Sequence, residues 1–290
     1  MQATEKIRSR LGSPLGIVSN CWRIQLANGQ SLESLIECAV EQGYRFIELR
    51  QGDLGEFASI AAPGANPSIE LRSSWSALHR RFPEIQFNLA ISLPCFSGEL
   101  QGADPRFLNA IEASRSLKGE GQFHLRLVDT ETRVVRLTDS TKSQSLRTLI
   151  ELARQVALQG GTLSIEHAYQ CWDDFRDVVC DSRMQLGEDS GHLRICFDPC
   201  NLLLTEPAAR VAEIVSTIDP ALVSMIHIKQ RRDGQIQPDL EAGDLDWNGL
   251  LQSLERQGHA GPWLFEIAPH DLIWEQLDKC IHALEFRAVV

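Results

Sequence analysis

Short apolar runs recur along the chain at regular intervals. They cover residues 15–19, 45–49, 85–91, 123–128, 162–166, 193–197, 223–228 and 263–267, and their starts lie about 30 to 40 residues apart. Each is the length of a strand and reads as nearly continuous apolar sequence, the pattern of a parallel strand covered on both faces. Helical periodicity fills the gaps between them. Leu32, Leu35, Ile36, Ala39 and Val40 fall on one helical face, as do Leu146, Leu149, Ile150, Ala153 and Ala157. Segments 207–218 and 247–257 also read as helices, and Leu272, Ile273, Leu277 and Ile281 mark a last one. Gln42-Gly43, Gln159-Gly160 and Gln257-Gly258 each close a helical pattern shortly before a strand, where glycine supplies the left-handed backbone that ends a helix. Segments 51–70 and 95–121, rich in Pro, Gly and Ser, read as long loops.

Eight strands alternating with helices predict an α/β fold, a (β/α)8 TIM barrel formed by residues 1–290 as a single domain. An open doubly wound sheet is the alternative, but the glycine-rich GxGxxG turn of its nucleotide-binding members is missing, and so is a Walker A motif.

Composition narrows the partners. With 28 basic and 39 acidic residues the net charge is −11, which argues against a nucleic-acid surface. No run approaches the roughly 20 apolar residues of a membrane span. The eight cysteines are scattered and form no CxxC pair, which points to reduced thiols and a cytoplasmic location. The expected partner is a small molecule, and a homo-oligomer stays open.

In a (β/α)8 barrel the chemistry gathers at the C-terminal ends of the strands. There the fifth strand ends in Glu166, the sixth in Asp198, the seventh carries His227 and Lys229, and the eighth carries Glu266; the second carries Glu48. A carboxylate above an apolar layer is costly unless paired or bound to a metal. Three carboxylates and one histidine on one rim repel each other, and a divalent cation resolves that repulsion. A lone Glu at a strand end is more often a solvated rim group; the ordered set of four is what points to a metal.

The same residues carry a resemblance. Glu166 in LSIEH, Asp198 in CFDPCN, His227 in IHIKQ and Glu266 in LFEIA resemble the ligand set of the xylose isomerase-like barrels, the ketose 3-epimerase branch above all. The stretch GDLDWNGLLQSL, residues 243–254, is similar to that family's loop into the seventh helix. The likeness covers residues 145–270 well and the first half by architecture. Asn201, Asp233 and Trp172 stand where the epimerases place a His, an Arg and a second Glu. The resemblance implies that Glu166, Asp198, His227 and Glu266 hold one divalent ion and that Glu166 and Glu266 are also the acid/base pair. An oxygen-rich set of this kind suits Mn2+ first, or Mg2+ or Co2+, with about two octahedral positions left for substrate oxygens.

The reaction expected is sugar or sugar phosphate isomerisation or epimerisation, by proton transfer beside a carbonyl through a metal-bound enediolate. Asn201, Lys229, Arg231, Trp22 and Glu48 are the expected substrate contacts, with Asn20 beside Trp22. The alternatives are a metal-dependent lyase resembling the dehydroshikimate dehydratases and a barrel that binds sugar or metal without turnover. A phosphodiesterase resembling the apurinic endonucleases lacks the extra histidines and has the wrong charge.

Overall fold

Eight parallel strands close into a barrel in the computed structural model, which describes residues 11–51, 69–97, 99–118 and 121–286. The strands are β1 (Leu15–Val18), β2 (Phe46–Arg50), β3 (Gln86–Ser92), β4 (Phe123–Val128), β5 (Gly161–Glu166), β6 (Leu193–Phe197), β7 (Val223–Ile228) and β10 (Trp263–Phe265). Each pairs with its neighbours in chain order, and β10 closes on β1 with Leu15 opposite Trp263. A two-stranded hairpin, β8 (Arg231–Arg232) and β9 (Gln235–Ile236), is inserted after β7. It turns on Asp233 and Gly234, whose φ angles of 50° and 77° match the two-residue turns that suit such hairpins.

All eight apolar runs are strands, with ends shifted by a residue or two. The last strand stops at Phe265, yet the Glu266 amide still donates to the Ile228 carbonyl at 3.0 Å, so the backbone stays tied to β7 as far as Glu266. Helices Leu32–Glu41, Asp139–Leu158, Ala208–Thr217, Trp247–Arg256 and Ile273–Phe286 lie where helical spacing puts them. The glycines of the three Gln-Gly pairs take φ angles of 92°, 73° and 74°.

Segment 95–121 corrects the loop expectation, because it holds the helix Pro105–Leu117. Asp104 caps it by accepting from the Arg106 amide, Pro105 starts it, and Phe107, Ala110, Ile111, Ser114 and Leu117 are buried at helical spacing. The expected loop at 51–70 lies, over 52–68, outside the described residues; helix Ile69–Arg81 follows it.

The inside of the barrel is a small separate core of Val18, Phe46, Cys196, Met225 and Leu264. Strand side chains alternate with period two, so the next inward residue on the same face lies two positions on. That step carries Phe46 to Glu48, Cys196 to Asp198, Met225 to His227 and Leu264 to Glu266. An apolar plug thus carries a layer of buried ionisable groups at the C-terminal mouth.

Candidate metal centre and its charge network

The four residues of the expected ligand set converge. One ligand atom each from Glu166, Asp198, His227 and Glu266 lies within 4.8 Å of all the others, and all four residues are buried. Local backbone explains the aim of Asp198. Its Oδ1 accepts from the Cys200 and Asn201 amides at 2.9 and 3.0 Å, capping a helical turn that starts at Pro199, which leaves Oδ2 for the centre. His227 Nδ1 lies 3.2 Å from Glu266 Oε2, 3.5 Å from Glu166 Oε1 and 3.7 Å from Asp198 Oδ2. None of these contacts has hydrogen-bond geometry, so Nδ1 is a buried nitrogen without a hydrogen-bond partner. On the far side of the ring, Nε2 faces Glu48 Oε1 and Cys196 Sγ, both at 3.4 Å.

This geometry fits a divalent ion. Buried polar groups lacking partners need an explanation, and an imidazole nitrogen ringed by three carboxylate oxygens is a hard N,O donor set. The ring's other nitrogen backs onto a carboxylate, as is usual behind a metal-bound histidine.

The chain also supplies its own cations there, so pairing within the chain relieves the repulsion as well as a metal would. Arg126, on β4 and 1 % exposed, donates through Nε and Nη2 to Glu48 Oε1 at 3.1 and 2.6 Å and through Nη1 to Glu166 Oε2. Lys229 Nζ lies 2.6 Å from Asp198 Oδ2 and 2.7 Å from Glu266 Oε2. Arg50 Nη1 donates to Glu266 Oε1 at 3.0 Å.

The pKa values follow from these pairs. Burial alone would raise the Asp198 and Glu266 carboxyls, but the Lys229 charge and His227 outweigh it and hold both below the usual range. For Glu48, burial is outweighed by Arg126 and then His227. Burial opposes a proton on His227; Cys196, Glu48 and Glu266 around it hold the ring protonated well above its ordinary value. The nearby His167 is different. Burial lowers it to about 4, its Nε2 donates to the Gln170 carbonyl at 2.6 Å, and its ring packs edge-on against Trp172 and Phe175.

A cavity of about 590 Å³ opens above the centre, and Glu166, Glu266, Asn201, Lys229 and Arg231 line it. Asn20 lines it as well, and its Nδ2 donates to Glu266 Oε1 at 3.2 Å. Asn201, standing where a histidine is expected, donates through Nδ2 to Glu166 Oε1 at 2.9 Å and to the His167 carbonyl at 3.0 Å. Arg231 is carried to the cavity by the hairpin, which Gln230 pins by donating to the Leu245 and Glu241 carbonyls. Gly243 is required beside it, since a Cβ there would lie 2.5 Å from the Arg231 carbonyl oxygen.

Two expected substrate contacts are corrected. Trp22 is wholly buried and packs against Trp274, so it does not line the cavity. Glu48 is 0 % exposed, held by Arg126 and by Asn88 Nδ2 at 2.8 Å, and serves behind His227 instead. Trp172, at the position of the second glutamate, is 2 % exposed in a stack with Phe175. Asp233, at the position of the arginine, makes the hairpin turn.

Arg126, Arg50 and Asn88 were not anticipated. The signal for Arg126 was a charge inside the largely apolar strand FHLRLV, which a closed barrel forces to find a buried partner.

No protein-family model and no curated protein matches the sequence. Solved structures do. The chain is similar to the IolI protein with a bound zinc atom, at 14 % identity and a TM-score of 0.67, covering 95 % of this chain and 96 % of that one. It is also similar to a xylose isomerase-like TIM barrel protein from Mycobacterium smegmatis in complex with magnesium, at 15 % identity and 0.64, covering 95 % of each chain. An L-ribulose 3-epimerase matches at 17 % identity and 0.59, covering 93 % of this chain and 86 % of that one.

Proposed function

From the xylose isomerase-like TIM barrel fold, which the chain shares with these proteins, we propose a divalent-metal-dependent isomerase or epimerase acting on a sugar or sugar phosphate. One observation carries the reading. Of the four clustered groups, Glu166 and Glu266 line the cavity, while Asp198 and His227 lie outside its lining. Two carboxylates that reach the substrate space, over two groups that do not, are the arrangement for an acid/base pair resting on a binding centre.

Glu166, Asp198, His227 and Glu266 would hold the ion, with Mn2+ the first expectation and Mg2+ or Co2+ next. Bound there, it would supply Lewis-acid polarisation of a substrate carbonyl. The chain does the rest. One glutamate takes the proton from the carbon beside the carbonyl, and the other returns one. Return to the same carbon from the opposite side epimerises; return to the neighbouring carbon isomerises.

Arg126 and Asn201 grip one oxygen each of Glu166, and Lys229 and Arg50 grip one each of Glu266. Both carboxylates are therefore oriented before substrate arrives, which is where enzymes gain much of their rate. Ile236 and Ala268 line the apolar part of the cavity and help exclude water from the reacting carbon.

Deuterium exchange into a panel of ketoses in D2O tests this. Glu166→Gln should lower exchange by about 10²–10⁴ while the protein stays folded, the usual range for a lost general acid or base. Full activity in that variant would overturn the assignment.

A further inference from the structure

The cavity above the metal centre has a neighbour. A second space of about 390 Å³ is lined by Arg23, Arg50 and Arg126 with Gln51 and Ser92, and no carboxylate lines it among the described residues. The two spaces adjoin, because Arg23, Arg50 and Val128 line both. Together their described lining carries Arg50, Arg126, Lys229 and Arg231 against Glu166 and Glu266. A cationic mouth on a chain of net charge −11 is not a consequence of composition.

The arginines differ in what they have left to offer. Arg126 is almost wholly buried and committed to Glu48 and Glu166. Among the described residues Arg50 has one carboxylate partner, Glu266, through Nη1, and its side chain is 40 % exposed. Its backbone is fixed as well, since the Arg50 amide donates to Ser19 Oγ at 2.8 Å. A guanidinium presents five donors in a planar fork that matches a carboxylate or phosphate, and a neutral sugar hydroxyl uses that fork poorly.

We infer that the substrate is an anion: a hydroxy-ketone whose carboxylate or phosphate is held by Arg50 in the second space, while its carbonyl end lies between Glu166 and Glu266. The inference rests on the proton-transfer reading for the role of the glutamates, and it adds the class of substrate. Arg50 touches both the anion and Glu266, so a bound anion also fixes the carboxylate that does the chemistry. The cationic mouth draws such substrates in and discriminates against neutral ones.

The test compares matched pairs on the metal-loaded protein: fructose with fructose 6-phosphate, and dihydroxyacetone with hydroxypyruvate. Two readouts are taken, deuterium exchange from D2O and the thermal shift on binding. The expected result is an anionic member at least a hundredfold better in kcat/KM than its neutral partner. The better pair tells phosphate from carboxylate. Arg50→Gln should cut that preference at least tenfold, and Arg50→Lys should restore part of it by keeping the charge. Equal rates for neutral and anionic members, or an unchanged preference in Arg50→Gln, would overturn the inference and leave the proton-transfer reading standing. Binding of the anions without exchange in any compound would keep the anion site and sink the proton-transfer reading. Neither binding nor exchange of the anions would remove both.

Discussion

The two halves of the barrel mouth carry opposite charge. Strands β5 to β10 bring Glu166, Asp198 and Glu266 to the rim, whereas β2 and β4 bring Arg50 and Arg126. Each half also holds charge of the other sign, and two such groups are tied down by neighbours: Glu48 on β2 by Arg126, and Lys229 just after β7 by Asp198 and Glu266. Pairs between strands then join the halves, Arg126 with Glu166 of the adjacent β5 and Arg50 with Glu266 after β10. With His227 protonated, the carboxylates of Glu48, Glu166, Asp198 and Glu266 are matched by Arg50, Arg126, Lys229 and the imidazolium, and Arg231 on the hairpin adds a further positive charge at the mouth. The acidic half is the proposed ligand set, and its own chain already neutralises it. A metal ion therefore competes for carboxylates that have partners, and the basic half sets how hard that competition is.

The largest expected effect comes from removing the bridge. Arg126→Met leaves Glu48 and Glu166 buried without their cation, and breaking a buried pair from one side costs about 3–5 kcal/mol. For a protein of this size that is a fall in Tm of roughly 10 °C. Arg176→Met, which removes an exposed pair with Asp177, should cost under about 0.5 kcal/mol. Urea unfolding of both variants gives the contrast. Similar small losses would mean that the two halves are not joined through Arg126.

Sequence and structure part company along the same line. The acidic half was legible because its residues end runs of apolar strand, and because strand-end position in a barrel is itself a statement about function. Glu166, Asp198, His227 and Glu266 all fall on that rule. The basic half was not, for two physical reasons. Arg126 lies within its strand and not at the end, and its partners come from other strands, Glu166 from the adjacent β5 and Glu48 from β2, so no pattern within β4 reports them. Arg50 follows Glu48 by two residues and shares its face, but its partner is 216 residues away. Pairing at such separation is a property of barrel closure, and no local pattern reports it. Trp22 failed for the opposite reason. Its place after β1 was read correctly, yet it ends the 3-10 turn Ser19–Trp22, where its ring is buried against Trp274.

The next effect is on metal affinity. Lys229 Nζ occupies Asp198 Oδ2 and Glu266 Oε2, two oxygens of the ligand set. An ammonium about 4 Å from a divalent ion would face roughly 8 kcal/mol of repulsion at an effective dielectric of 20, so it must leave those oxygens or lose its proton when metal enters. Lys229→Met should then bind Mn2+ at least tenfold more tightly than the wild type by calorimetry, and its metal-free form should melt lower. Asp198→Ala should lose the site in either background. Equal affinity with and without Lys229 would show that the ammonium and the ion share these carboxylates without conflict.

A change of comparable size per unit of pH should follow from His227. Its Nδ1 can ligate only after the ring gives up the proton that Cys196, Glu48 and Glu266 hold on it against burial. Metal affinity should rise about tenfold per pH unit from pH 6 upward, with one proton released on binding. Calorimetry in buffers of different ionisation heat measures that proton directly, and a flat pH profile would contradict it. The metal-free protein should respond with the opposite sign. The stabilisation from His227 is full below its ordinary value near 6.5 and fades as pH rises through its raised one. The contributions of Asp198, Glu266 and Glu48 are present above about pH 4 and are lost on acidification. Metal should thus stabilise most where the network alone is weakening, at alkaline pH.

The smallest effect distinguishes the two grips on Glu166. Arg126 holds Oε2 from the basic half with a charge, while Asn201 holds Oε1 from the acidic half with a single neutral donor. A hydrogen bond to a charged group contributes about 1.5–3 kcal/mol at most, and part of the Asn201 side chain is spent on the His167 carbonyl. Asn201→Ala should therefore lower the exchange rate about tenfold with little change in KM, because it loosens the carboxylate without touching the anion end of the substrate. Asn201→His would keep a donor at the same position and should recover most of that loss. If Asn201→Ala instead raised KM and left kcat alone, Asn201 would be a substrate contact, and the orientation of Glu166 would rest on the basic half alone.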